Sequence, residues 1–157
     1  MSGFFFLKRM IIKTVNGKSP NIPDDCYVAE NATIVGDVEF GSQCSVWFNA
    51  VIRGDVHYIK IGNNVSIGHN AIVHGCTLHD NVLIGMGAIV MDNCVVESNA
   101  IVAAGAVVTQ NTIVESGTIY AGVPAKKVKD INASDFAGEI ERISNNYVMY
   151  SSWFKDE

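Results

Sequence analysis

The chain has 157 residues, the size of one domain, and 48% of them are hydrophobic, enough for a packed core. A formal net charge of −5 excludes a protein that grips nucleic acid through a broadly basic face. With 14 glycines and only 3 prolines, the composition also excludes low-complexity disorder.

The N-terminus reads MSGFFFLKRM, a short apolar run at Phe4 to Leu7 followed by Lys8 and Arg9. A secretory leader places its charges first, and a membrane helix needs about 20 apolar residues. The sequence therefore predicts a cytoplasmic chain with no membrane partner. Ile11 to Val15, then Asn16-Gly17, predict a short strand and turn. The expected division is 1–19 for an extension and short strand, 20–126 for the main domain, and 127–157 for a helix packed on it.

From residue 28 onward a period of six takes over. Large aliphatic positions fall at Val28, Ile34, Phe40, Val46 and Ile52, then at Ile61 and Ile67, then at every sixth residue from Ile72 to Tyr120. Four residues after each start, the side chain is small or β-branched. Ala32, Val38, Cys44, Ala50 and Val56 open this column, and Val65, Ala71 and Cys76 continue it. Two columns in phase over some ninety residues predict a triangular coil, one short strand and one corner per hexad. A helix would show a 3.6-residue period instead. Gly36-Asp37, Asn63-Asn64, Asp80-Asn81, Asp92-Asn93 and Ser98-Asn99 supply left-handed backbone at the corners. Cys26 and Cys44 are 18 residues apart, as are Cys76 and Cys94, so each pair is expected one coil apart as buried thiols rather than disulfides.

Two breaks interrupt the phase. Ile52 to Ile61 is three residues too long and contains Arg53-Gly54-Asp55; Ile67 to Ile72 is one too short and contains His69. After Tyr120, Pro124 is expected to stop strand pairing. A helix then follows from about Ser134, its cap, to Ser151, with Phe136, Ile140, Ile143, Tyr147 and Tyr150 along one stripe, extended by Trp153 and Phe154.

His69 and His74 both lie two residues after a hexad start, which places them on neighbouring faces of one prism. Those faces diverge, so a single ion needs two adjacent chains, most naturally in a threefold oligomer. Neutral imidazole suits zinc or another divalent transition metal, and an open position would hold water with a pKa near 7. The other reading is a pair of surface or interface histidines that only hydrogen-bond.

Four segments carry a resemblance. They are NATIVGDVEFGSQCSVWFNAVIRGDV (31–56), NNVSIGHNAIVHGCTL (63–78), LIGMGAIVMDNCVV (83–96) and YAGVPAK (120–126). From residue 20 onward the chain resembles the γ-class carbonic anhydrase-like group of the transferase hexapeptide family. The resemblance implies a mainly β fold, a left-handed parallel β-helix with a C-terminal α-helix. It implies a homotrimer with zinc at the subunit interface, His69 and His74 as ligands from different chains, and Arg53 and Asp55 in ion pairs across the subunit contact that order the site. The implied reaction is reversible hydration of carbon dioxide to bicarbonate by zinc-bound hydroxide.

The sequence departs from that pattern at one point. The family has a further coil after the RGD segment, carrying the first zinc histidine and a Gln-Asp pair; here IKIG (59–62) runs straight into NNVSIGHN. About one coil is missing, and two ligands remain where catalytic zinc takes three. His57 and His79 are the candidates to substitute, although an exposed, unbound histidine is the simpler reading of each. The loss weakens the expected metal site and puts hydration activity in doubt. The alternatives are a non-catalytic trimeric scaffold or small-ligand binder and, ranked last, a hexapeptide acyltransferase, for which no acyltransferase loop is recognisable.

Overall fold

A computed structural model describes residues 10–154, and in the C-terminal helix it leaves out the side chains at 135–141, 143 and 144. The described residues form a parallel β-solenoid of about six turns followed by one C-terminal helix. Short strands stack in register into three faces. Ser45–Val46, Ser66–Ile67, Leu83–Ile84 and Ile101–Val102 run up one of them. Ile72–His74, Ile89–Val90 and Val107–Val108 run up the next. Thr77–Leu78, Val95–Val96 and Ile113–Val114 run up the third. Thr33–Phe40 and Val51–Ile61 turn a corner without interruption and so belong to two faces at once. Ile11–Lys13 adds a parallel strand against Thr33–Val35, as the short N-terminal strand was expected to do.

The period of six builds this shape because each coil can bury its apolar residues only against the coils above and below. Ile34, Ile52, Ile67, Ile84 and Leu78 are at most 1% exposed. Each such side chain contributes roughly 1.5–3 kcal/mol on burial. Ala32, Ala50, Ala71, Ala88 and Ala106 fill the cramped space beside one corner, all fully buried. The corner asparagines adopt the left-handed region, with φ of 57° at Asn64, 56° at Asn81 and 62° at Asn99. Their side chains also form a ladder. The Asn64 amide donates to Asn81 Oδ1 at 2.9 Å, and the Asn81 amide to Asn99 Oδ1 at 3.1 Å.

Both phase breaks are present, one of them displaced from its expected place. Gly36 pairs with Gly54, and then Val38 pairs with Ile59, so residues 55–58 stand where the coil below has Asp37 alone. The extra length is extruded. Val56 is 64% exposed, against the expectation that it joins the inward column, and Ile59 takes that place fully buried. The short step lies at His74-Gly75 rather than at His69. Val73 is the inward residue of its strand, at 0% exposed, whereas Ile72 is 39% exposed. Adjacent isoleucine and valine serve equally well as a core position, and pairing of Ile52 with Val73 and of Val73 with Val90 decides between them.

The C-terminal end departs from expectation too. Pro124 lies in a turn, but pairing resumes beyond it: Lys126–Asp130 returns antiparallel along Thr118–Ala121. Lys127 there bonds Glu115 and Asp130, each at 2.8 Å. The helix runs Ala133–Ser152 with Asn132 at the N-cap position, so Ser134 lies in the first turn and is not the cap. Phe136, Ile140 and Ile143 of the expected stripe lie outside the described side chains. Tyr147 packs on Trp47 with ring centroids 5.2 Å apart, and Phe154 closes on Phe48 at 5.4 Å. These rings seal a small second core around Tyr27, Ala29 and Trp47. No described helix is long and apolar enough to cross a membrane.

Candidate metal centre

His69 follows the strand Ser66–Ile67 and stands at a corner of the prism. Its ring lies flat against Trp47 from the coil below, with centroids 5.4 Å apart, and beside Phe48 at 5.9 Å. Trp47 is itself fixed. Its indole N–H donates to Ser45 Oγ at 3.1 Å, and the Ser45 hydroxyl bonds Ser66 Oγ at 3.1 Å. The imidazole is thus packed on one side and half-buried.

His74 ends the strand Ile72–His74 at the following corner. Its Nδ1 meets the carboxylate of Asp92, which comes from the next coil. An ionised carboxylate only accepts, so the proton belongs on Nδ1 and the Nε2 lone pair stays available. The side chains of His74 and Asp92 are 23% and 24% exposed, enough to reach a partner and shielded enough to hold an orientation.

The two histidines therefore bracket one face from opposite corners, each with its own neighbours. Their positions are not equivalent as expected: His69 is two residues past the inward Ile67, and His74 is one past the inward Val73. Among the described residues, no three of His, Cys, Asp and Glu converge on one point of a single chain.

Arg53 and Asp55 lie beside His74, Arg53 being its register partner. Arg53 Nε donates to Asp55 Oδ2 of the same chain at 2.9 Å. That bond holds the Asp55 carboxyl below the usual carboxylate range. Val56 N–H donates to the other carboxylate oxygen at 3.0 Å. His57 is exposed on the extruded segment 55–58, and His79 is exposed after Thr77–Leu78, at the third corner.

Asp92 is the site residue that reading the sequence missed, where it counted only as half of a turn. The signal was its position 18 residues after His74, one coil by the same spacing that relates the cysteines.

The sequence pattern described as bacterial transferase hexapeptide (six repeats) matches residues 58–90 and 75–110. A carbonic anhydrase of Geobacillus kaustophilus is 41% identical over 167 residues, taking in 92% of this chain and 91% of that protein. A probable carbonic anhydrase of Methanocaldococcus jannaschii is 46% identical over 145 residues, with 78% and 89% covered. The chain belongs to the γ-class carbonic anhydrase-like group of the hexapeptide-repeat family. Among solved structures, a hexapeptide transferase family protein from Anaplasma phagocytophilum is 32% identical, with a TM-score of 0.74 over 92% of this chain and 98% of that one. This chain's alignment to the Geobacillus protein runs over 167 positions although the whole chain has 157 residues, so the relative has residues where this chain has none.

Proposed function

We propose that this chain is a zinc protein of the γ-class carbonic anhydrase type, which hydrates carbon dioxide to bicarbonate as a cytoplasmic homotrimer with its metal between subunits. The observation that carries this reading is His74, whose Nδ1 is anchored by Asp92, so that Nε2 is left outside that contact as the candidate ligand atom. His69, clamped on Trp47 at the other corner of the face, supports the same reading, because a neighbouring copy would bring the two corners together. The donor set fits zinc, or another divalent transition metal, since neutral imidazoles bind such ions well. A zinc ion there supplies Lewis acidity toward water, the chemistry that carbon dioxide hydration needs. The chain's part is to orient imidazoles. Asp92 fixes the His74 tautomer, Trp47 fixes the His69 plane, and the Arg53–Asp55 pair stiffens the strand end beside them.

The test is zinc per chain in metal-replete protein, measured together with carbon dioxide hydration and molecular mass in solution. One zinc per chain, turnover and a trimeric mass support the reading. A monomer, or a trimer whose metal content is unchanged by His74→Ala, overturns it.

A second reading, a trimeric scaffold without catalysis, is favoured by one observation: the chain is shorter than its relatives within the stretch they share. Full zinc occupancy without turnover would select it.

A further inference from the structure

We infer that His57 supplies an imidazole to the metal set, acting with His74 of the same chain. This rests on the metal reading above and adds a residue to it.

The argument begins with the extruded segment. Residues 55–58 occupy a corner where the coil below needs only Asp37, and they lean over the coil above. The Cβ of His57 lies 2.9 Å from the point where a side chain on Gly75 would begin. Asp92 Oδ1 lies 2.6 Å from that same point. Gly75, with a φ of 39°, therefore leaves room for both groups next to His74. Any side chain there would push His57 away from the corner that His74 occupies.

His57, Gly75 and Asp92 also line one polar cavity of about 430 Å³, together with Tyr58, Asn93 and Gln110. Asp92 is engaged with Nδ1 of His74. The His57 side chain makes no hydrogen bond or ion pair among the described residues, and it lines this cavity while His74 stands behind Gly75 and Asp92, outside the lining.

His79 does not compete for the role. Its backbone packs over Gly62 at the corner beyond Thr77–Leu78, one face away from His74. One chain thus offers two imidazoles at one corner, His57 and His74, and a third at another corner, His69. No three of His, Cys, Asp and Glu converge on one point of a single chain among the described residues, so the set needs a neighbouring copy to complete it. Two from one copy and one from the next give three nitrogen ligands and an open position, the number a catalytic zinc site takes. The extrusion makes the arrangement possible, since a regular corner would be too short to carry a residue up to the next coil.

Cobalt(II) titrated into the metal-free, assembled protein tests this. Affinity is read by competition with a chromophoric chelator, and coordination number by the intensity of the visible d–d bands. His57 is exposed, so His57→Ala should fold and assemble as the parent does. We expect it to weaken cobalt binding by about tenfold or more and to alter the d–d spectrum, with His79→Ala unchanged in both. If His74→Ala loses cobalt and His57→Ala keeps the parent affinity and spectrum, the role of His57 is wrong and the metal reading stands. If the parent binds no cobalt, or His74→Ala binds it as the parent does, both fail together.

Discussion

Asp92 reaches down one coil to hold Nδ1 of His74, and this contact joins the solenoid's architecture to the proposed metal site. The two residues are neighbours only because Val73 stacks beneath Val90, which brings the corners that follow them into line. A carboxylate behind a ligating imidazole fixes the ring and raises its basicity. On the proposed metal reading, Asp92→Ala should weaken zinc binding by about 10- to 100-fold without changing the protein's mass in solution. Asp92→Asn, which keeps an acceptor but no charge, should fall between. Zinc competition titrations on the three proteins check the order, and equal affinities would reduce Asp92 to a corner residue.

Asp25 makes a second contact between coils whose strength depends on pH. The Ser42 hydroxyl donates to its carboxylate, and this bond, helped by the backbone N–H of Gln43, holds the Asp25 carboxyl below its ordinary value. A carboxyl depressed in the folded state contributes stability above its unfolded pKa. That contribution is lost as pH falls through the folded value, so the effect belongs to the acid side of the usual carboxylate range. Ser42→Ala should move the Asp25 pKa up toward the ordinary value, as read from its carboxyl carbon resonance. An unchanged titration would remove Ser42 as the cause.

The cysteines should react unequally. Cys26 Sγ and Cys44 Sγ both approach the Gly41 carbonyl oxygen, at 3.3 and 3.7 Å. The bond from Cys44 favours the Cys26 thiolate and lowers its pKa, while Cys44 is pushed up by the same bond and by burial. Burial pushes the Cys76 and Cys94 thiols up as well. With iodoacetamide at mildly alkaline pH, Cys26 should label well before the other three, because the thiolate is the nucleophile. Peptide mapping by mass spectrometry gives the order directly.

Gly36 is where the backbone itself forbids a side chain. A Cβ there would lie 2.4 Å from the Gly54 carbonyl oxygen in the coil above, and its φ is 80°. The left-handed conformation alone costs a residue other than glycine about 1–3 kcal/mol, and the neighbouring carbonyl cannot retreat without shifting its coil. Gly36→Ala should lower the urea midpoint by at least that amount of stability. The same substitution at Gly17, which has a positive φ but nothing within 4 Å, should cost less. Parallel denaturation curves compare the two.

How much of this was legible can be argued from single residues. Ile34, Ile67 and Ile84 sit in the core as their six-residue spacing required, and Asn64, Asn81 and Asn99 sit left-handed at corners as their turn chemistry required. Val56 was misplaced because a three-residue surplus does not say which residues leave the coil. Ile72 was misplaced because its neighbour Val73 is as good a core side chain.

The amino-acid sequence by itself determined the solenoid, its family and the two histidines. Those properties are written in periods and motifs that short stretches of chain carry on their own. Only the tertiary structure decided that Asp92 backs His74, that residues 55–58 are extruded, and that His57 comes to rest against Gly75. Each is a contact between successive coils, and its partners depend on how many residues every intervening corner absorbs. That count is set by which side chains win the interior, a competition settled only when the coils stack.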